Sequence, residues 1–392
     1  MAGLNKTPGA NRLHIGFFGK RNSGKSALIN TFVNQEVSIV SSEPGTTTDP
    51  VYKAMEIDGL GPCLLVDTAG FDDIGTLGQL RNDKTKKASE KIDIAIILFN
   101  DRKICQELDW YHYFKEKHIP TILVISKADL QRNDNLLKKI TEATSETPLL
   151  ISSLTKQGIK ELQEKLLEKV PADFEKESIT GELAKKGDLI LLVMPQDIQA
   201  PKGRLILPQV QVMRELLDKG CQIMAVTTEQ LKSALQKLNQ APDLVITDSQ
   251  VFKYVYENIS SESKLTSFSV LMAGYLNYYA KSVEILERLN GDSTVLIAEC
   301  CSHAPLSEDI GRVKIPRMLK KKFPGIGVEI VSGTDFPDDL TKYDLIITCG
   351  GCMFNRRYIM TRVNQAKGQM IPMTNYGIFI AYVNGILDKV IY

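Results

Sequence analysis

The sequence has almost no net charge and no long apolar run, and each absence narrows what the protein can do. Its 48 Lys and Arg stand against 47 Asp and Glu, a formal net charge of +1, so no overall electrostatic attraction to nucleic acid is expected. No apolar stretch reaches the length of a membrane span, and the first twelve residues lack the apolar core of a signal peptide. We therefore expect a cytoplasmic protein that binds neither a membrane nor nucleic acid.

Cysteine is also scarce, with seven in 392 residues. In a reducing compartment such cysteines bind metal, take part in redox chemistry or pack in the core, and structural disulfides are rare. Cys63, Cys105 and Cys221 each lie singly among apolar neighbours, so we predict that these three are core residues. The chain is longer than one hydrophobic core supports, which indicates two or three domains.

The most specific motif is the octapeptide Gly19–Ser26, which fits G-x-x-x-x-G-K-[ST] at every fixed position. It follows an apolar run over residues 14–18 and precedes a helix-like segment. In that setting, backbone N–H groups and the helix N-terminus hold phosphates. Lys25 then reaches the β- and γ-phosphates, and Ser26 binds magnesium. The predicted loop contacts are Gly19, Asn22, Ser23, Gly24, Lys25, Ser26 and Ala27.

A second motif, residues 67–70, ends the apolar run over residues 63–66. In P-loop folds this strand end supplies a magnesium-linked carboxylate, here Asp67, and a glycine N–H that senses the γ-phosphate, here Gly70. A polar loop over residues 44–49 lies between the two motifs and is suited to closing over the phosphate and metal.

Two further segments narrow the nucleotide to one that carries guanine. Asp129 follows an apolar strand over residues 121–125, and its carboxylate can accept hydrogen bonds from the N1–H and the 2-amino group of guanine. The stem of Lys127 can pack against the base. Ser152 and Ser153 follow another apolar run and offer backbone contacts to the guanine oxygen.

In this order, each at the end of an apolar strand, the motifs resemble those of the translation-factor-related GTPases. The likeness is greatest to the branch that contains the tRNA-modification and ribosome-assembly GTPases. It implies that Thr47 binds magnesium and that Asn22 holds a potassium ion acting in place of an arginine finger. Catalysis is then expected from Lys25, Thr47, Asp67 and Gly70.

The chain departs from that family at two positions. Ser126 stands where the base-recognition motif usually begins with Asn or Thr, which implies modest affinity for guanine. Phe71 stands where Ras-like enzymes carry a water-orienting Gln, which implies slow intrinsic hydrolysis.

Beyond a GTPase domain predicted over residues 1–171, the alternation of apolar strands and helices predicts parallel α/β structure. Residues 172–188 are charged and indicate a linker. The strand pattern then recurs, most clearly where residues 243–247 are repeated as residues 344–348. We predict two smaller parallel α/β domains, over residues 189–263 and 264–392, related by duplication or by convergence on one topology.

The remaining cysteines lie where two of the repeated strands end. Cys300 and Cys301 follow the strand over residues 294–298, and Cys349 and Cys352 follow the strand over residues 345–348. In one parallel sheet both ends lie at the carboxyl edge, where ligands bind in open α/β folds. A lone cysteine plus C-x-x-C suits a zinc ion or a 4Fe-4S cluster. A redox disulfide within the C-x-x-C is the alternative.

The pattern C-x-H followed far downstream by C-x-x-C, beside a GTPase domain, resembles the GTPases that mature FeFe-hydrogenases. Residues 199–209 are similar to the dimerisation domain of that family, and the resemblance covers essentially the whole chain. It implies a homodimer in which Cys301, Cys349 and Cys352 hold a 4Fe-4S cluster whose fourth iron position is labile or open. Cys300 is an alternative to Cys301 as the cluster ligand that follows the first of these strands.

Thr348 stands where the family often has a histidine directly before the C-x-x-C. A histidine ligand from that side is therefore impossible, and the fourth iron position is left to a different group. The candidates are solvent, His303 and the carboxylates of Glu299, Glu308 and Asp309.

The expected function is that of a GTP-binding and GTP-hydrolysing iron–sulfur scaffold or carrier. By resemblance, it receives a precursor of the di-iron subcluster from radical-SAM maturases and delivers it to the apo FeFe-hydrogenase. An RNA-directed GTPase of tRNA modification or ribosome assembly fits Asn22, Thr47 and Asp129 equally well, but the chain has no basic RNA-binding tail. A zinc-stabilised regulatory GTPase is the third hypothesis.

Overall fold

The fold is that of a computed structural model, which describes most of the chain in ten segments. The described residues are 12–33, 41–43, 50–70, 85–130, 134–171, 178–195, 205–274, 283–300, 309–351 and 354–391. The chain divides into two compact units, the first over residues 1–176 with 355–358 and the second over residues 177–354 with 359–392. Within the ten segments, no helix combines the length and apolar character that crossing a membrane requires.

The first unit contains a seven-stranded sheet in the order β2-β3-β4-β1-β5-β6-β7. Its strands are β1 (Leu13–Gly19), β2 (Ser41–Glu43), β3 (Val51–Ile57), β4 (Gly61–Asp67), β5 (Ile94–Phe99), β6 (Thr121–Ile125) and β7 (Leu149–Leu150). The β2–β3 and β3–β4 pairs are antiparallel, and the other pairs are parallel. Every residue of β1 is buried, which explains why the sequence of this central parallel strand is almost continuously apolar.

Helices cover both faces of this sheet because alternate strand residues point to opposite sides. The helices are α1 (Lys25–Val33), α2 (Cys105–Glu116), α3 (Asp134–Thr144) and α4 (Ile159–Lys169). Ile15 of β1 packs in one core with side chains of α1 and α4, whereas Phe18 packs in the other core with side chains of α2 and α3. The carboxyl ends of the parallel strands β1, β4, β5 and β6 therefore meet at one edge, where the predicted GTPase motifs lie.

The second unit contains two four-stranded sheets whose strands are all parallel. Their strands are β8 (Leu189–Val193), β9 (Gln222–Val226), β10 (Leu244–Thr247) and β11 (Lys264–Ser267), and β12 (Thr294–Glu299), β13 (Gly327–Ser332), β14 (Leu345–Thr348) and β15 (Met373–Asn375). The helices described beyond residue 177 are α5 (Leu207–Asp218), α6 (Leu231–Lys237), α7 (Phe252–Tyr256), α8 (Phe268–Gly274), α9 (Val283–Leu286), α10 (Ile315–Lys322), α11 (Arg356–Gly368) and α12 (Tyr376–Val383).

The two small sheets share one topology, as the sequence recurrence predicts. Their strand orders are β11-β10-β8-β9 and β13-β12-β14-β15. In each sheet, the strand that comes first in the chain lies between the second and the third, and the fourth lies next to the third at the edge. The repeated aspartates also make the same contact. Asp243 accepts a hydrogen bond from the backbone N–H of Leu189 at 2.8 Å, and Asp344 accepts one from that of Thr294 at 2.7 Å. The prediction of further parallel α/β domains is confirmed.

Strand β11 lies past residue 263 and pairs with β10, so the first small sheet continues beyond the domain boundary expected from the strand pattern. Leu265 is the one apolar residue of this strand, so the apolar run that marks the other strands is missing. Cys63 and Cys221 are buried, as predicted. Cys105 is exposed, so its assignment to the core was wrong. It is the first residue of α2, where the turn of the helix buries the neighbouring Ile104 instead.

Candidate functional site

The phosphate-binding motif forms the turn between β1 and α1, as the sequence predicts. Asn22 and Gly24 adopt left-handed backbone conformations, with φ of 59° and 91°. Glycine accepts that conformation without strain, and asparagine does so more readily than most residues. The carbonyl of Gly24, directly before α1, accepts the N–H of Leu28 at 2.9 Å, so the helix begins directly after the loop.

Lys25 is held at the centre of this loop. Its side chain is buried, and its ammonium donates to the carbonyl oxygens of Gly19 at 2.7 Å and Lys20 at 2.8 Å. These bonds fix the position of the charge, so that little side-chain entropy remains to be lost when a phosphate binds. The positive charge is therefore held within the loop that the sequence predicts to bind phosphates.

Ser26 and Asp67 come together from different elements of the fold. The Ser26 hydroxyl donates to an Asp67 carboxylate oxygen at 2.5 Å, joining the start of α1 to the end of β4. Burial raises the pKa of Asp67, while the bond from Ser26 and the charges of Lys25 and Lys53 lower it. Carboxylate and hydroxyl oxygens are hard ligands of the kind that magnesium prefers, so the pair fits the predicted metal site.

Two predicted elements of this site cannot be placed. Thr47, the expected switch threonine, and Phe71, in the position of a water-orienting residue, both lie outside the described residues. Gly70 is described and half-buried, three residues beyond Asp67. The roles of Thr47 and of Asn22 toward magnesium and potassium stay predictions.

The base-recognition segment lies against the phosphate loop. Lys127 adopts a left-handed conformation with φ of 56°, and its Cε lies 4.0 Å from the position that a Cβ would take at Gly24. Asp129 is exposed beside it. The N–H of Ala128 donates to the carbonyl of Ile151 at 3.0 Å, which brings the segment after β6 to the segment after β7. Two predicted base-binding segments therefore meet at one edge of the sheet.

The two serines after β7 differ in their exposure. Ser152 is fully buried, and its hydroxyl accepts the N–H of Thr155 at 3.1 Å, so its side chain stabilises the turn. Ser153 is half-buried, and its carbonyl accepts the hydroxyl of Thr31 at 3.2 Å. The contact of these two residues with a base through their backbone stays a prediction.

Ser126 has a role that the sequence did not reveal. Its buried hydroxyl donates to the carbonyl of Ser23 at 2.6 Å and lies 3.3 Å from that of Phe99. The serine at the start of the base-recognition motif therefore braces the phosphate loop from behind. The family pattern drew attention to this position, but only the folded structure brings residues 23 and 126 together.

Replacing Ser126 by alanine is expected to weaken GDP binding by up to about tenfold, because one hydrogen bond to the loop is lost. Titration with a fluorescent GDP analogue measures the change. Ser126→Thr keeps the hydroxyl and serves as the control, with affinity expected close to that of the parent. Parent-like affinity of the alanine variant would show that the bond does not support the loop.

The carboxyl edge of the second small sheet carries two described cysteines. Cys349 directly follows β14, and its sulfur accepts the backbone N–H of Cys300 at 3.1 Å. The buried guanidinium of Arg362 lies 3.8 Å from the sulfur of Cys300. Hydrogen bonds and positive charge of this kind stabilise sulfur in its anionic, metal-binding form.

Two of the carboxylates considered for the fourth iron position already have protein partners. Glu299 is buried and accepts the Nε–H of Arg312 at 2.8 Å. Burial raises the pKa of Glu299, whereas the hydrogen bond from Arg312 lowers it. Asp309 accepts the backbone N–H of Arg312 at 2.8 Å. Thr348, in the position of the missing histidine, is buried and donates to the carbonyl of Thr374.

The rest of the predicted cysteine site lies outside the described residues, namely Cys301, His303, Glu308 and Cys352. Across the parts of the chain that the structure does describe, no group of three or more His, Cys, Asp or Glu side chains is arranged to hold a metal ion. Gly351 is described, with φ of 71°. A Cβ there would meet Ile359 at 2.2 Å, so the loop between the two thiols of the C-x-x-C requires glycine.

Three family models match successive parts of the chain. A 50S ribosome-binding GTPase model matches residues 14–127. The hydrogen maturase F dimerization domain matches residues 179–276, and the hydrogen maturase F tetramerization domain matches residues 277–392. The last two together cover more than half of the chain.

Curated relatives include proteins that match less than half of the chain. The tRNA modification GTPase MnmE of Leptospira biflexa is 29% identical over 166 residues, which is 41% of this chain and 36% of that protein. MnmE of Staphylococcus aureus is 29% identical over 147 residues, 37% of this chain and 32% of that protein. The chain thus spans about a third of the length of these relatives.

Solved structures with a similar segment include two that contain a guanine nucleotide or its analogue. Era of Aquifex aeolicus bound to GDP and AlF4- is 19% identical, covers 55% of this chain and 92% of its own, and has a TM-score of 0.35. Elongation factor SelB of Methanococcus maripaludis with a GTP analogue is 21% identical, covers 40% of this chain and 33% of its own, and has a TM-score of 0.33.

Proposed function

This chain belongs to the hydrogen maturase F family of GTPases, and from that premise we propose that it is a GTP-hydrolysing scaffold for a metallocluster. The proposal has two parts, a nucleotide site in the first unit and an iron–sulfur site in the second. They rest on different residues and are tested separately.

The nucleotide part is supported above all by the convergence of Lys25, Ser26 and Asp67 at one edge of the sheet. In P-loop enzymes, catalysis comes from positioning and from neutralising the charge that develops on the transferred phosphoryl group. Lys25 supplies a fixed positive charge, and the N–H groups of the loop and of α1 surround the phosphates. Magnesium, when bound, would neutralise further phosphate charge, with Ser26 and Thr47 as its proposed ligands and Asp67 linked to it.

Guanine selection is assigned to Asp129, and replacing it by asparagine tests the assignment. The amide presents a donor where the carboxylate accepts, so GTP affinity is expected to fall by roughly 10- to 100-fold. Xanthosine triphosphate has an acceptor in place of the 2-amino group, so its affinity is expected to rise. Competition against a fluorescent GDP analogue measures both.

The control for this test is Asp134→Asn, which makes the same chemical change at an exposed aspartate in α3. It is expected to leave both affinities unchanged. If Asp129→Asn keeps the parent preference for GTP, Asp129 does not read the base.

For the second unit, we propose that Cys301, Cys349 and Cys352 hold a 4Fe-4S cluster. Support comes from the adjacency of β12 and β14, whose ends carry Cys300 and Cys349, and from the hydrogen bond between them. Because Glu299 and Asp309 have protein partners, His303, Glu308 or solvent is the better candidate for the fourth iron position. An exchangeable position would let a di-iron precursor dock before transfer.

Self-association is supported by the matches to dimerization and tetramerization domains. We propose a cytoplasmic homodimer. Its partners would be the radical-SAM maturases that supply the precursor and the apo FeFe-hydrogenase that receives it. We also propose that potassium, held by Asn22, stimulates a slow intrinsic hydrolysis and that GTP regulates partner association.

A further inference from the structure

A buried cation lies behind the phosphate loop, at a position to which the GTPase motifs give no role. Lys20 is the second residue of the loop and is 9% exposed. Its ammonium lies 3.1 Å from Asp101 and 3.4 Å from Glu107, and it also donates to the carbonyl of Lys103. All three partners belong to the segment that runs from the end of β5 into α2.

Glu107 is the most deeply buried of these partners. It lies in the first turn of α2 and is 1% exposed. Burial raises the pKa of its carboxyl group, while its own backbone N–H and the charge of Lys20 lower it. A buried carboxylate is costly unless an opposite charge faces it, so Lys20 and Glu107 depend on each other.

The main chain of the same lysine holds the centre of the loop. The carbonyl of Lys20 accepts the ammonium of Lys25 at 2.8 Å and the N–H of Ser23 at 3.2 Å. Anchoring the Lys20 side chain therefore fixes the carbonyl that positions the phosphate-binding lysine. The side chain is directed toward α2, whereas the carbonyl is directed toward the loop.

We propose that Lys20 is a positioning residue for phosphate binding, anchored by Glu107 and Asp101, and that it acts through the carbonyl that holds Lys25. The inference deepens the proposed GTP binding and rests on it. According to this proposal, the buried ion pair of Lys20 and Glu107 strengthens nucleotide binding, in addition to any effect of the pair on the stability of the fold.

The test compares Lys20→Met, Lys20→Arg and the double variant Lys20→Met/Glu107→Gln in the full-length chain. Affinity for GDP with magnesium is measured by titration of a fluorescent analogue, and the thermal midpoint by differential scanning fluorimetry. Lys20→Met alone leaves Glu107 buried without its cation and is expected to lower the midpoint. The double variant removes both charges and is expected to recover most of that loss.

Affinity separates positioning from stability. If Lys20 positions the loop, the double variant recovers the thermal midpoint but still binds GDP about tenfold more weakly than the parent, which corresponds to ~1.4 kcal/mol. Lys20→Arg can reach the same carboxylates and is expected to restore affinity to within about twofold.

Parent-like affinity of the double variant would overturn the proposal, and so would an arginine variant that binds as weakly as the methionine variant. Failure of the parent itself to bind GDP would instead overturn the proposed function. GDP binding by the parent is therefore measured first. Its result distinguishes a failure of the proposed function from a failure of the proposed role of Lys20.

Discussion

Replacing Lys25 by alanine is expected to lower kcat for GTP hydrolysis by roughly 10²–10³-fold, the loss typical when one preorganised group that stabilises transition-state charge is removed. Two loop carbonyls already hold the ammonium at 2.7 and 2.8 Å, so its charge is in place before the reaction begins. Phosphate release under saturating GTP measures kcat, and its dependence on GTP concentration gives KM.

Stability must be separated from catalysis in this test, because Lys25 is buried. Thermal midpoints with and without GDP report whether the variant is folded. Lys138→Ala changes an exposed lysine of α3 and is expected to leave kcat unchanged. A folded Lys25→Ala variant with the parent kcat would remove the basis for placing the phosphate site in this loop.

Replacing Cys349 by serine is expected to reduce the iron bound per chain from about four atoms to less than one, since a 4Fe-4S cluster loses one of its three proposed thiolates. The protein is reconstituted with iron and sulfide under anaerobic conditions. Iron and acid-labile sulfide are then assayed, and the reduced sample is examined by EPR spectroscopy.

Cys105→Ser is the matched control, because Cys105 is an exposed cysteine in the first unit. It is expected to keep the full iron content and the same EPR signal. Cys300→Ser tests the neighbouring thiol and is expected to retain the cluster if Cys301 is the ligand. An unchanged cluster in Cys349→Ser would remove this residue from the ligand set.

The same measurement separates the three functional hypotheses. The scaffold predicts about four irons and a reducible cluster per chain. A zinc-stabilised regulatory GTPase predicts about one zinc per chain and no EPR signal from the metal. An RNA-directed GTPase predicts neither metal in the second unit.

Much of the fold could be predicted because strands such as β1, β6 and β14 are buried along their whole length. Residues 121–125 and 345–348 are strands with the predicted bounds, since a continuous apolar run bounded by polar residues leaves few alternatives. The recurrence of Asp243 as Asp344 likewise predicted two sheets of one topology, and each aspartate makes the same bond to the start of the first strand of its sheet.

Side-chain direction at the ends of elements was harder to predict. Cys105 follows the apolar Ile104, but as the first residue of α2 it faces solvent. Thr348 attracted attention as the position of a missing histidine, but it faces β15 from within its strand. A local sequence pattern shows which residues are apolar. It does not predict the direction of a side chain where a helix or strand begins or ends.

The sequence by itself determined the order of the phosphate and base motifs and the parallel α/β class of the second unit, because both depend on local spacing and periodicity. Only the tertiary structure decided that Ser126 braces Ser23 and that Glu107 faces Lys20. Each of these contacts joins residues more than eighty positions apart. Such pairs depend on how the sheet aligns its strand ends, which no single segment of the chain encodes.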